Sequence, residues 1–316
     1  MKKFFKQIAL MAALTVMLVG CGNKASEQNP EITPETSATT EVKDLGTLRI
    51  GVMSAADSAP ILLAQENGYF EELGLTVDLE IFTNGATKQS SIQAGELDGA
   101  MVSMIQFLNN KAAGLDAVMT TSTDGMFPIV LSPNFEEKKD VKVGLMEVSV
   151  VNYLADQYLT DYNVEKVFIN EMPIRMQMLM AGELDMAVLP EPMASTAQLK
   201  GLEKRTYGNP DDFTPNAMIF TNEIINSNEE AVAAFHEAYN KAVEEITANE
   251  EVAKDILIKK LELDEKVKDL MVLPTYHTTR IPTEDFIEDL HLWTENLQGK
   301  PLAVTYDELV TEAFVK

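Results

Sequence analysis

The chain has 316 residues, 46% of them hydrophobic and 24% charged, a globular composition in a chain long enough for two modest lobes. Its 25 basic and 50 acidic residues leave a formal charge of −25, which excludes a general affinity for nucleic acid or anionic lipid. A single cysteine, Cys21, excludes an internal disulfide, so folding energy has to come from apolar burial.

At the start, Lys2, Lys3 and Lys6 precede an apolar run from Ile8 to Val19, closed by Leu18-Val19-Gly20-Cys21. A basic start, a short apolar core and small residues at the cut describe a secretory signal. A spanning helix needs ~20 apolar residues. The Leu-Val-Gly-Cys segment resembles the lipobox of bacterial lipoproteins. That resemblance implies diacylglycerol on the Cys21 thiol, cleavage before it, and a protein tethered to the outer face of the cell membrane. Residues 1–21 are therefore expected to be the signal. Residues 22–45, rich in Ser, Thr, Glu, Asn and Pro, are expected to be a flexible tether.

From residue 46 the pattern alternates strand and helix. A strand at 48–53 leads to a helix from Pro60 to about Leu73, stopped by Gly74. Thr76 to Phe82 reads as a strand, Thr83-Asn84-Gly85 as a turn into a helix ending at Gly95, and Asp98 to Ser103 as a third strand. The segment Ala94-Gly95-Glu96-Leu97-Asp98 returns 87 positions later as Ala181-Gly182-Glu183-Leu184-Asp185. The second unit then reads strand 141–146, helix 149–160, strand 166–170, helix 173–181 and strand 184–189. Such alternation implies parallel sheets covered on both faces, one per lobe. Asp98 and Asp185 read as turn residues rather than ligands. The extended runs 127–131 and 216–220 are candidates for two strands crossing between lobes. Beyond them, Ala231 to Ile246 and Phe286 to Leu297 have helical spacing. The expected division is 46–126 with 215–316 as lobe one, the second part helical, and 127–214 as lobe two. Trp293 reads as core or lobe packing.

In open α/β sheets, ligands bind at the carboxyl ends of strands, beside helix N-termini. The candidate rim residues are therefore Ser54, Asp57 and Ser58 after the first strand, Asn84 and Gly85 after the second, and Ser103 and Met104 after the third. Thr123 and Asp124 join them at the crossing, and Val148, Ser149, Arg175 and Glu191 in lobe two. Asp57 and Ser58 either cap the helix at Pro60 or touch a solute. Arg175 either pairs with Glu171 or clamps an anion. Glu191 either begins a helix or meets an aminopyrimidine or ammonium group. Met53, Met104 and Met146 read as core. Asp57, Asp124, Glu147 and Glu191 outnumber Arg175, which leans the expected ligand toward a nitrogen heterocycle, although helix N-termini can also hold an anion.

These features together resemble the solute-binding lipoproteins of ABC importers for sulfonates, taurine, nitrate and thiamine-pyrimidine precursors. The motifs that carry the likeness are Arg49-Ile50-Gly51-Val52-Met53, Gly68-Tyr69-Phe70, Gly74-Leu75, the two Ala-Gly-Glu-Leu-Asp segments and Leu189-Pro190-Glu191-Pro192. The resemblance implies a two-lobed α/β fold of the periplasmic-binding-protein-like type II class with two crossing strands as hinge. It further implies a small-molecule solute between the lobes, delivery to an ABC permease, a monomer, and no cofactor. The same frame resembles a pyrimidine synthase that uses histidine and iron. Here His236, His277 and His291 all lie late, no second ligand has metal spacing with His277, and no Walker loop or nucleophile elbow is present. The sensing domain of a transcription regulator lacks support, because no basic DNA-binding helix accompanies it. A surface adhesion role would predict no stabilisation by any small solute.

Overall fold

A computed structural model describes residues 42–209 and 214–315. Cys21, the signal and most of the expected tether lie outside them. Residues 42–45 already lie on the body: the Leu45 N–H donates to Gly74 O at 2.8 Å.

The first half opens with β1 (Thr47–Met53), a 3-10 turn (Ala56–Ser58), α1 (Ala59–Glu66) and α2 (Tyr69–Glu72). It continues with β2 (Thr76–Phe82), α3 (Gly85–Gln93), β3 (Gly99–Ser103), α4 (Met104–Ala112) and β4 (Ala117–Thr123). The expected single helix from Pro60 to Leu73 is broken at Gly68, whose φ of +73° suits glycine and stops α1. The second half contains β5 (Ile129–Leu131), β6 (Asp140–Leu145), α5 (Val150–Tyr158) and β7 (Asn163–Phe168). It ends with α6 (Met172–Met180), β8 (Met186–Val188), α7 (Met193–Leu199) and β9 (Lys204–Arg205). β7 begins three residues before the expected strand. It sits at a sheet edge, where partial exposure weakens the alternation a sequence shows. The chain returns through β10 (Asn216–Thr221), then α8 (Asn222–Ser227), α9 (Glu229–Ala248), α10 (Glu251–Lys260), a 3-10 segment (Glu265–Leu270), α11 (Glu284–Gln298) and α12 (Tyr306–Leu309).

The strands form two five-stranded sheets of matching topology, β2-β1-β3-β10-β4 and β7-β6-β8-β5-β9. β1 is parallel to β2 and β3, and β6 to β7 and β8. The expectation of wholly parallel sheets is corrected by the fourth strand. β10 and β5 each run antiparallel to both neighbours. The runs 127–131 and 216–220 supply β5 to one sheet and β10 to the other.

The repeat has a packing reason. A Cβ on Gly51 of β1 would meet Leu97 Cδ1 at 2.7 Å, and one on Gly144 of β6 would meet Leu184 Cδ1 at 2.5 Å. Each repeat leucine therefore fills the space over a strand glycine. Each following aspartate grips the start of the strand: Asp98 Oδ2 accepts from Arg49 N at 2.8 Å, and Asp185 Oδ2 from Lys142 N at 2.9 Å. Apolar clusters cover both faces of both sheets, with Phe70, Phe220 and Phe235 in the largest.

Candidate functional site

The carboxyl ends of the two sheets face one another across a cavity of about 90 Å³. From the first half come Met53, Ala55 and Asp57 after β1, Gly85 and Lys88 at the start of α3, and Met101, Val102 and Ser103 of β3. Gln106 of α4 and Asn216 of β10 complete that side. From the second half come Phe127, Met146, the α5 start at Ser149, Val150 and Val151, then Asn170 ahead of α6, Met172 and Arg175 within it, and Pro190. Methionines and Phe127 make adaptable apolar walls, and the polar groups are few, which is the usual make-up of a small-molecule site.

Local chemistry aims these groups. Asn84 caps α3 by accepting from Ala86 N at 2.8 Å and Thr87 N at 3.3 Å, which turns Gly85 and Lys88 toward the cavity. The Asn84 amide also donates to Glu171 Oε1 at 3.0 Å, from one half to the other. Ser149 Oγ donates to Met146 O at 2.7 Å, which fixes the turn into α5.

The buried charges set the electrostatics. Asp57 is 5% exposed; its Oδ2 accepts from Asn216 Nδ2 at 3.0 Å and its Oδ1 has no partner. Burial pushes the Asp57 carboxyl up, with Lys88 pulling the other way. Burial pushes the Lys88 ammonium down, opposed by Asp57. Arg175 donates from Nη1 to Val188 O at 2.9 Å, and its Nε has no partner. Burial lowers its pKa to about 10 against the raising effect of Glu171. Ser103 Oγ is likewise buried without a partner. Unpartnered buried polar atoms are costly, and a bound polar solute would satisfy them.

Of the sequence candidates, the cavity gathers Asp57, Gly85, Ser103, Ser149 and Arg175. The others lie elsewhere. Ser54 donates its N–H to Phe82 O at 2.9 Å, and Ser58 donates its hydroxyl to Ala55 O at 2.7 Å. Met104 is core, Thr123 is buried outside the lining, and Val148 packs against an apolar cluster of the first half. Asp124 is bound to the late loop, accepting from the His277 N–H at 2.8 Å and from Arg280. Glu191 has no exposure and pairs with Lys204 at 2.6 Å. Conversely, Met53 and Met146, read as core, line the cavity. Asp124, Glu147 and Glu191 are absent from the lining, and Lys88 joins Arg175 there. Lys88 was missed because nothing local marks it; only its place on the first turn of a capped helix after a strand was a usable signal.

Among the described residues no cluster of three or more His, Cys, Asp or Glu side chains is arranged to hold a metal ion. No described helix is long and apolar enough to cross a membrane.

Two α/β halves of equal sheet topology with a cavity between their strand ends define the periplasmic-binding-protein-like fold of type II. Solved structures agree. The ligand-binding component of an ABC-type import system from Staphylococcus aureus, solved with zinc bound, superposes with a TM-score of 0.72 at 15% identity, covering 85% of this chain and 97% of that one. The alkanesulfonate-binding protein SsuA from Xanthomonas axonopodis pv. citri, bound to MOPS, gives 0.67 at 15% identity, covering 81% and 94%. Residues 55–253 match the NMT1/THI5-like family, and the chain belongs to that family. A putative binding protein of Brucella abortus is 26% identical over 218 residues, 64% of this chain and 67% of the relative. The nitrate import ATP-binding protein NrtC of Synechococcus elongatus is 40% identical over 60 residues, but the match spans only 19% of this chain and 9% of that protein.

Proposed function

We propose that this chain is the solute-binding component of an ABC-type importer, capturing a small solute between its halves and handing it, chemically unchanged, to a membrane permease. The observation that carries this reading is the cavity itself, into which both halves bring buried polar atoms without partners: Asp57 Oδ1 and Ser103 Oγ from one side, Arg175 Nε from the other. Residues 46–126 with 215–316 act as one lobe and 127–214 as the other. A solute touching both rims favours the closed form by its differential affinity for it. The protein works as a monomer outside the cytoplasmic membrane, anchored by lipid on Cys21, which mass spectrometry of the native N-terminus would test.

Lys88 and Arg175 favour a solute with an anionic group, of the sulfonate or nitrate kind, because two buried cations share the cavity with one buried carboxylate, Asp57. Asp57 supports a second reading, a thiamine-pyrimidine precursor or similar heterocycle donating to its free oxygen. Titration calorimetry with methanesulfonate, taurine, nitrate and an aminopyrimidine separates the two. The expected result is binding of an anion, lost in Lys88→Met and Arg175→Met. Binding of the aminopyrimidine alone would reverse the preference, and turnover of any bound solute would defeat the transport reading.

A further inference from the structure

α5 carries two kinds of contact on one rigid piece of helix. Its start, from Ser149 to Val151, lines the cavity. Three residues apart further along, Tyr153 and Asp156 share a face, and that face meets α11 of the other half. The Tyr153 and Trp293 rings pack edge to face, with centroids 5.6 Å apart and planes at 86°. Trp293 Nε1 donates to Asp156 Oδ2 at 3.1 Å. Lys166 holds that carboxylate in place, 2.7 Å from Oδ1 and 2.8 Å from Oδ2. Tyr153 packs against apolar clusters of both halves.

We propose that Tyr153, Asp156 and Trp293 form a clasp that holds the two halves closed without touching the solute, and so sets the affinity for it; this rests on the reading that the halves separate to admit a solute. Exposure argues for a contact built to part. The Asp156 side chain is 37% exposed and Trp293 and Tyr153 are half-buried, so opening the clasp returns polar groups to nearby water at little cost. The buried pair Glu191–Lys204, which also bonds across the halves, has no such access and stays made. Because α5 is one short helix, its cavity-lining end cannot swing away while its clasp face stays on α11. Clasp and solute therefore stabilise the same closed form and reinforce each other.

Trp293 is the only tryptophan in the chain, so its emission reports on the clasp directly. The test compares the whole chain, without added solute, as wild type, Asp156→Ala and Tyr153→Ala, by small-angle scattering and tryptophan fluorescence. The expected result is a closed-to-open ratio about fivefold lower in each variant, the size of one net hydrogen bond for Asp156→Ala and of one edge-to-face aromatic contact for Tyr153→Ala. It would be seen as a larger radius of gyration and red-shifted emission. Asp156→Ala removes the acceptor of the Trp293 N–H at an exposed position, so it decides the matter if Tyr153→Ala unfolds. Scattering curves that superimpose for wild type and Asp156→Ala overturn the clasp. A scattering response with no binding from any compound of the calorimetry panel leaves the clasp standing and removes the solute reading alone. Methanesulfonate binding of equal strength in wild type and Asp156→Ala removes the clasp alone.

Discussion

Replacing Lys204 by methionine tests what the buried pair does. Its ammonium spends all three donors, on Glu191 Oε1 at 2.6 Å, Ser195 Oγ at 2.8 Å and Leu270 O at 2.6 Å. Glu191 in turn accepts from Ser195 N at 3.1 Å and Val272 N at 3.3 Å. Side-chain exposure is 4% for Lys204 and 0% for Glu191. Leu270 and Val272 belong to the half built on the first sheet, so the pair ties α7 and β9 to it. Methionine keeps nearly the same length and removes the charge, leaving a buried carboxylate without its counter-ion, while Leu270 O keeps only the Ser195 hydroxyl as donor. Removing one partner of a buried pair costs about 3–5 kcal/mol. For a chain of this size each kcal/mol moves the melting temperature by about 2–4 °C, so a fall of roughly 6–20 °C is expected. Urea unfolding should show a lower midpoint at unchanged slope. In the double variant Glu191→Gln, Lys204→Met no charge is left buried, and its loss should fall short of the sum of the two single losses by more than ~1 kcal/mol. A Lys204→Met protein within ~1 kcal/mol of wild type would refute the reasoning, because that is the cost of losing an exposed pair.

Burial holds the His236 imidazole neutral with its pKa lowered to about 4, and its Nδ1 donates to Val232 O at 2.8 Å. The unfolded chain takes up a proton near pH 6.5 that the folded one refuses, so stability is untouched above that pH. It falls by up to ~1.4 kcal/mol per pH unit between about 6.5 and 4. His236→Gln should flatten that part of the stability–pH curve, and an unchanged slope would exclude His236 as its source. Gly51→Ala and Gly144→Ala should each cost about 1–3 kcal/mol in denaturant unfolding, since the new methyl overlaps Leu97 or Leu184. Gly51→Ala alone should also weaken solute binding, because its methyl lies 3.3 Å from Lys88 Cγ; equal effects of both on binding would break that link. Lys88→Met should lower the affinity for methanesulfonate at least tenfold, about 1.4 kcal/mol, whereas Asp57→Asn should preserve it. Calorimetry showing the opposite order would assign the anion contact to the wrong side chain.

Much of the fold was legible along the chain because its signals are local. Helix caps, helix-ending glycines and the Ala-Gly-Glu-Leu-Asp repeat act within a few residues of where they stand, and the repeat's leucine and aspartate serve the same purpose in both halves. The break at Gly68 depends on a left-handed turn, and a single glycine within a helical pattern does not by itself mark one. The site was legible only as a set of loops: strand ends named the rims, but not which rim side chains face inward. Glu191 and Asp124 carry the sequence marks of ligand residues, and each is taken by a basic partner more than ten residues away, Lys204 and Arg280. Lys88, Asn216 and the cavity methionines carry no such mark. Their roles arise from the angle at which α3, β10 and the two sheets meet, a quantity set by packing between segments far apart in the chain. Composition, repeat and strand order determined what kind of fold this is; only the assembled halves decided which buried polar atoms line the cavity, because that depends on contacts between segments far apart in the chain.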